Sequence, residues 1–326
     1  MALVLPVLDE AGSIDECLRS ISAQDYRGPL EIVVADGGST DGTRRRLEEW
    51  AEELPLTVID NPLRRQSPGI NLAASATTAE VLVRVDGHTL YPPDYVSASV
   101  AALLASSAGA VGGALHPQGT TRFGRAVTAA MVSPFTTGPA RFHKPGSAGE
   151  VDTVYLGAVR REEFLRLGGL RSFPSGAGED ADFYYRMRRS GRSVLLDPGI
   201  TSRYRPRATP GGLLRQHFRY GQAKAELLWA NRRFPSWRPL APAALVLGLV
   251  ATGLLTAVGT WWPLAVLGGA WLLVLLAASL PAGTLAPPVV VAAGLMQVGY
   301  GCGFWWALAR GPGRVRRSIA GSRPPS

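Results

Sequence analysis

After Arg238 the sequence contains no Asp, Glu or Lys, and its only charges are Arg310, Arg314, Arg316, Arg317 and Arg323. Three uncharged apolar segments lie in this region, near residues 240–260, 262–280 and 286–309. A soluble domain does not leave residues 239–309 without a charge. Each segment is close to the ~20 apolar residues that cross a hydrocarbon core. Trp261, Trp262, Trp305 and Trp306 sit at or near segment ends, as interfacial aromatics do. The chain is therefore expected to meet a membrane through its C-terminal third. Arg232, Arg233 and Arg238 precede the first segment and the arginine-rich tail follows the last, so both flanks should be cytoplasmic. Three complete crossings cannot satisfy that: either one segment is re-entrant or the tail departs from the rule.

The charge balance follows from this division. The net charge is +9 and the pI about 10.0, but before Pro239 only 29 basic residues face 25 acidic ones. Much of the excess lies beside apolar segments, where anionic headgroups are the natural partner, so no nucleic-acid ligand is implied. Cys17 and Cys302 form no disulfide framework and no metal-ligand spacing. The apolar run at 2–7 is too short, and lacks the basic flank, to read as a signal peptide.

Before residue 116 the chain alternates between two periods. Strand-like runs at 3–7, 30–35, 56–59, 81–85 and 110–115 are separated by helical patterns at 13–23, 40–54, 67–77 and 94–106. Ser13 followed by Glu16 reads as a capping box. Such alternation predicts an α/β fold, a mostly parallel sheet with flanking helices, whose ligands bind at the carboxyl edge of the strands. Gly, Pro and Ser crowd residues 116–175, with a long loop expected around 141–150; helices follow near 161–167 and 180–190. Residues 213–232 read as a basic helix that either lies along a membrane surface or packs on the sheet domain. The expected division is an α/β domain at 1–220, an amphipathic helix and linker at 213–238, a transmembrane helical region at 239–310 and a basic tail at 311–326.

Four clusters can carry chemistry, and each has a plainer reading. Asp36 ends an apolar run and is followed by Gly37, Gly38, Ser39 and Thr40. A carboxylate beside a close-approach backbone suits a base or ribose; an ordinary strand-to-helix turn has the same composition. Asp86 and His88, two apart after a strand, suit a divalent cation, Mg²⁺ or Mn²⁺, or form only a short Asp-Gly turn. Glu179, Asp180 and Asp182 open a helix, where the dipole alone favours them, though one could serve as a general base. Arg215, Gln216, His217, Arg219 and Tyr220 offer a guanidinium fork for a diphosphate, or a solvated basic face. No dinucleotide fingerprint, Walker lysine loop or nucleophile elbow competes with these.

Taken together, the clusters resemble a family-2 glycosyltransferase with the GT-A fold. Residues 5–10 (Leu-Pro-Val-Leu-Asp-Glu) are similar to that family's P-x-x-N-E start, with Asp9 in place of Asn. Residues 23–26 and 31–43 match closely, the latter in a strand-turn-helix setting. The resemblance covers about residues 2–220, and its layout looks most like succinoglycan-type exopolysaccharide glucosyltransferases. It implies that Pro6, Leu8, Glu10 and Asp36 hold the nucleotide, with Gly38 in the close-approach turn. It also implies that the loop ending in Asn71 borders the nucleotide, and that Asp86 and His88 stand for the family's D-x-D. Glu179 and Asp180 match its E-D pair, with Asp180 as base, and Gln216, Arg219 and Tyr220 resemble its Q-x-x-R-W.

The implied activity is inverting transfer of one sugar from a nucleoside-diphosphate sugar, UDP-linked, to a lipid-linked or other glycan acceptor. A divalent cation would assist at Asp86 and His88, and Arg219 would support the diphosphate. The implied location is the plasma membrane, multi-pass, with the catalytic domain cytoplasmic. Two alternatives stand beside it: a polyprenyl-phosphate sugar synthase, and a non-catalytic membrane-associated subunit that binds sugar nucleotides.

Overall fold

A computed structural model describes residues 1–137, 146–233 and 240–321. The first part of the loop expected around 141–150, the end of the linker and the last five residues lie outside these. The strands are β1 (Ala2–Val7), β2 (Glu31–Asp36), β3 (Leu56–Asp60), β4 (Val81–Arg84), β5 (Ala110–Pro117), β6 (Gly149–Glu150), β7 (Tyr155–Arg160) and β8 (Val194–Tyr204). The first helices are α1 (Ile14–Ser22), α2 (Thr43–Trp50), α3 (Gln66–Ser75), α4 (Tyr95–Leu104), α5 (Arg122–Val132) and α6 (Pro134–Thr137). Then come α7 (Arg161–Arg166), α8 (Glu179–Arg189), α9 (Pro210–Asn231), α10 (Leu240–Thr256), α11 (Trp262–Ser279), α12 (Ala286–Arg310) and α13 (Gly313–Ala320).

The strands form one sheet in the order β3-β2-β1-β4-β7-β5-β8-β6. β3, β2, β1 and β4 are parallel, as the alternation predicts, and they read as apolar runs because helices cover both faces. Leu3, Leu5, Val34 and Val83 point to one core with α1 and α4. Ala2, Val4, Val33 and Leu82 point to a second core with α3, Phe164 and Phe183. The run at 110–115 does not follow β4 in the sheet. β7 inserts between them, antiparallel to both, so the sheet is mixed.

The expected capping box does not form. Ser13 makes no side-chain cap; its hydroxyl donates to Glu10 Oε2 at 2.9 Å. Glu16 instead meets Arg205 at 3.2 Å.

α9, the basic helix, is packed on two sides. One side packs on the loop before α8, where Ser175 donates to Glu226. The other side packs on α12 through glycines. A Cβ built at Gly303 would lie 1.9 Å from the Phe218 carbonyl oxygen, and one at Gly221 1.9 Å from that of Tyr300. Glycine there lets two helix backbones touch.

The three apolar segments are helical, as expected, but the multi-pass expectation is not supported. Among the described residues one stretch, Trp262–Arg310, is long and apolar enough to cross a bilayer. It is broken at Gly283 (φ 54°, ψ −122°), and α10, at 17 residues, falls short.

Candidate active site

The site lies along the carboxyl ends of β1, β2 and β4. The turns after β1 and β2 are stitched together. Thr40 N–H donates to Asp9 Oδ1 at 2.8 Å, Asp9 N–H to Ser39 Oγ at 3.0 Å, and Glu10 N–H to Thr43 Oγ1 at 2.8 Å. Asp9 holds φ +54°, a conformation that Asn and Asp tolerate best among side-chain-bearing residues. Asp can therefore stand where the family has Asn. Asp36 is buried, and its Oδ1 accepts from Ser39 Oγ at 2.6 Å. Leu8 lies over Gly37, and Arg64 borders Gly37 and Gly38. Pro6 sits behind them, against Gly69. Leu8, Gly37, Gly38 and Arg64 thus adjoin where β1 and β2 end.

Asp86 follows β4. Its backbone N–H donates to Tyr91 Oη at 2.8 Å, and its Oδ1 accepts from Gln66 Nε2 at 3.2 Å. Arg84, two residues earlier and largely covered, stands between Asp86 and Glu179, 3.5 Å from each. Burial disfavours its charge, but Asp86, Glu179 and Asp180 outweigh that and hold the guanidinium firmly protonated. Glu179 is pushed up from the usual carboxylate range by burial and by the charge of Asp180, with Arg84 opposing. Asp180 is half-buried, and its Oδ1 accepts from Ala181 N–H at 2.7 Å. The D-x-H motif and the E-D pair, 93 residues apart, are thus joined through one guanidinium.

His88 is exposed, and its Nδ1 lies 3.1 Å from Glu10 Oε1. That bond, with the charges of Asp86 and Glu10, raises the imidazole pKa against the opposing effect of burial. Burial would raise the Glu10 carboxyl, but His88 and Ser13 outweigh it and the net shift is downward. Among the described residues no group of three or more His, Cys, Asp or Glu forms a ready metal cage. The residues present still fit a divalent cation that keeps open positions. A carboxylate and an imidazole suit Mn²⁺, and a ligating His commonly gives its other ring nitrogen to a carboxylate, as His88 does to Glu10.

From α9, Gln216 reaches inward and donates to Tyr204 Oη at 2.9 Å and Tyr220 Oη at 3.1 Å. Arg219 is exposed and makes no ion pair among the described residues. Asn71 sits lower. It is buried, with Nδ2 donating to the Leu170 carbonyl and Oδ1 accepting from Leu170 N–H, both at 2.8 Å. Its amide fastens α3 to the loop after α7. An open depression of about 480 Å³ lies elsewhere, at the far end of α8 beside Arg189 and Arg233; the candidate site is defined by its carboxylates and not by that volume.

Sequence reasoning passed over Arg84, Glu226 and Lys224. The signal for Arg84 was present, since a lone charge in an apolar strand needs a partner. Lys224 feels Asp180, but burial is the larger influence and its pKa is lowered. Only the fold brings α9 to the start of α8, so nothing local marks Lys224 or Glu226.

The mixed sheet with helices on both faces is the GT-A fold of solved glycosyltransferases. The family model for glycosyl transferase family 2 matches residues 2–164. The chain is 32% identical to the succinoglycan biosynthesis protein ExoA of Rhizobium meliloti (strain 1021), over 94% of each chain. The protein belongs to glycosyltransferase family 2. Among solved structures it is similar to the mannosyltransferase PcManGT of Pyrobaculum calidifontis, in complex with GDP-Man and Mn²⁺ (TM-score 0.63, 24% identity, 90% of this chain and 86% of that one). It is also similar to S. aureus TarS 1–349 in complex with UDP-GlcNAc (TM-score 0.54, 16% identity, 93% and 90%).

Proposed function

We propose that the protein transfers a single sugar, with inversion, from a UDP-sugar to a lipid-linked glycan at the cytoplasmic membrane surface, in exopolysaccharide or glycolipid synthesis. The observation that carries this reading is the Arg84 bridge, which sets the donor carboxylate Asp86 beside the base pair Glu179 and Asp180. Likeness to ExoA along nearly the whole chain supports the polysaccharide setting.

The nucleobase rests against Leu8 and Gly38, and Asp36 receives the ribose. Asn71 supports the site by bracing the loop after α7, and Glu10 by orienting His88. A divalent cation held by Asp86 and His88 would neutralise charge that develops on the diphosphate. Arg219 and Gln216 approach the same diphosphate from α9. Asp180 accepts the proton of the acceptor hydroxyl. The acceptor oxygen bonds to the anomeric carbon from the opposite face, and the bond to the diphosphate breaks with its electron pair on the leaving group. Glu179 is committed to Arg84 and buried, so Asp180 is the carboxylate free to take that proton.

Asp180→Asn should lower released nucleoside diphosphate by about 10²–10⁴-fold, the share a general base supplies. Donor affinity, read by calorimetry, should stay within about twofold of the parent protein, since the change spares the donor contacts. Retained turnover would remove Asp180 from the base role and favour a phosphate acceptor, which needs no deprotonation. Chelation should abolish turnover, and added Mn²⁺ should restore it.

A further inference from the structure

The C-terminal third presents an apolar surface that the protein itself leaves uncovered. Leu247, Val250 and Leu254 on α10 are exposed, as are Val266 and Leu273 on α11 and Trp261 between them. A contiguous surface of this kind requires a partner. The question is how a bilayer would cover it.

Three observations bear on that. First, α12 runs step for step beside α9: Gly299 meets Leu214, Gly303 meets Phe218, and Phe304 joins Ala225 in one buried cluster. Second, α9 carries Arg215, Arg219, Lys224 and Glu226, and its Gln216 donates to Tyr204 at the end of β8. A helix with four charges does not lie across hydrocarbon, so a helix in backbone contact with it along the same direction does not either. Third, the chain enters and leaves the apolar region at one end of α9. Leu240, at the start of α10, and Leu308, near the end of α12, pack on the same buried cluster as Ala225. α13 then folds back, placing Val315 against Leu227.

We infer that α10, α11 and α12 are embedded in one leaflet without crossing it, with both ends on the cytoplasmic face. The inference rests on the membrane setting proposed above. It removes the conflict between two arginine-rich flanks and three segments. The break at Gly283 reverses the chain within the leaflet, and Trp271 on α11 donates to Gln297 on α12 at 2.7 Å to close that hairpin. Arg232, Arg233, Arg310, Arg314, Arg316 and Arg317 are all exposed on the segments that flank the apolar helices, where they can meet lipid phosphates. Arg310 stacks on Trp306 at 4.2 Å, a pairing suited to that boundary.

The test is cysteine labelling of the full-length protein in cells. In a Cys17→Ser, Cys302→Ser background, single cysteines are placed by Thr260→Cys between α10 and α11, by Thr284→Cys in the reversing turn, and by Ala320→Cys on α13. Spheroplasts and inverted vesicles are treated with a membrane-impermeant maleimide. None of the three should label in spheroplasts, and Ala320→Cys should label in inverted vesicles. Labelling of Thr260→Cys or Thr284→Cys from outside would show a crossing and overturn the inference while leaving the membrane setting intact. Recovery of the protein in the soluble fraction would overturn the membrane setting itself. Each variant is scored only where donor turnover in inverted vesicles matches the double-serine parent.

Discussion

At Arg84 a guanidinium with 16% side-chain exposure lies 3.5 Å from a carboxylate on either side. Removing one member of a buried ionic group leaves uncompensated charge. Arg84→Leu should therefore cost about 3 kcal/mol in denaturant unfolding, with a loss of turnover that Arg84→Lys restores only in part. Glu226 offers a pH test. Burial raises its pKa while its bonds to Ser175 oppose the shift. A raised folded value means that its contribution is fully present below the unfolded value and is lost as pH rises through the folded one. Glu226→Gln keeps an acceptor for Ser175 but does not titrate. Its melting temperature relative to the parent should therefore climb as pH rises from the ordinary carboxylate range upward, and a flat difference would contradict the raised value. The residues legible in the sequence were those whose motif is local: Asp36 with its glycines, Asp86 with His88, Glu179 with Asp180. Asn71, expected at the end of a loop, lies in α3, and its orientation depends on Leu170, 99 residues away, which no local pattern reports.

The α9–α12 seam gives a graded prediction at the level of elements. Gly303→Ala would drive a methyl into the Phe218 carbonyl at 1.9 Å and should cost at least ~2 kcal/mol. Gly253→Ala on α10 meets nothing within 4 Å and should be neutral or stabilising by ~0.5–1 kcal/mol. Thermal unfolding in detergent orders the two; equal effects would mean the helices are not in backbone contact. The parallel strands were legible because apolar runs bounded by glycine and helical periodicity leave few other readings. β7 was not. Its six residues follow a Gly- and Ser-rich stretch, and its place between β4 and β5 is a long-range pairing. The same reason explains why the antiparallel pairings of β7 could not be read alongside the parallel ones.

Over the whole molecule, composition announced the C-terminal third but not its arrangement. Length and absence of charge set what each helix can do in lipid, whereas contact with α9 sets what it does here. That contact also makes the catalytic domain dependent on the apolar region. Removing residues 240–326 would strip the cover from Leu213, Ala225 and Leu227, which are buried in the intact chain against α12, α10 and α13. The shortened protein should aggregate, or lose donor turnover, even when assayed with a water-soluble acceptor; full activity in that assay would show the two parts to be independent. Hybrids between relatives carry the same dependence into protein engineering. A splice at the first apolar residue would join one parent's α9 to a foreign α12 and break the glycine fit, whereas a splice upstream of Pro210 would transplant both helices as one cassette.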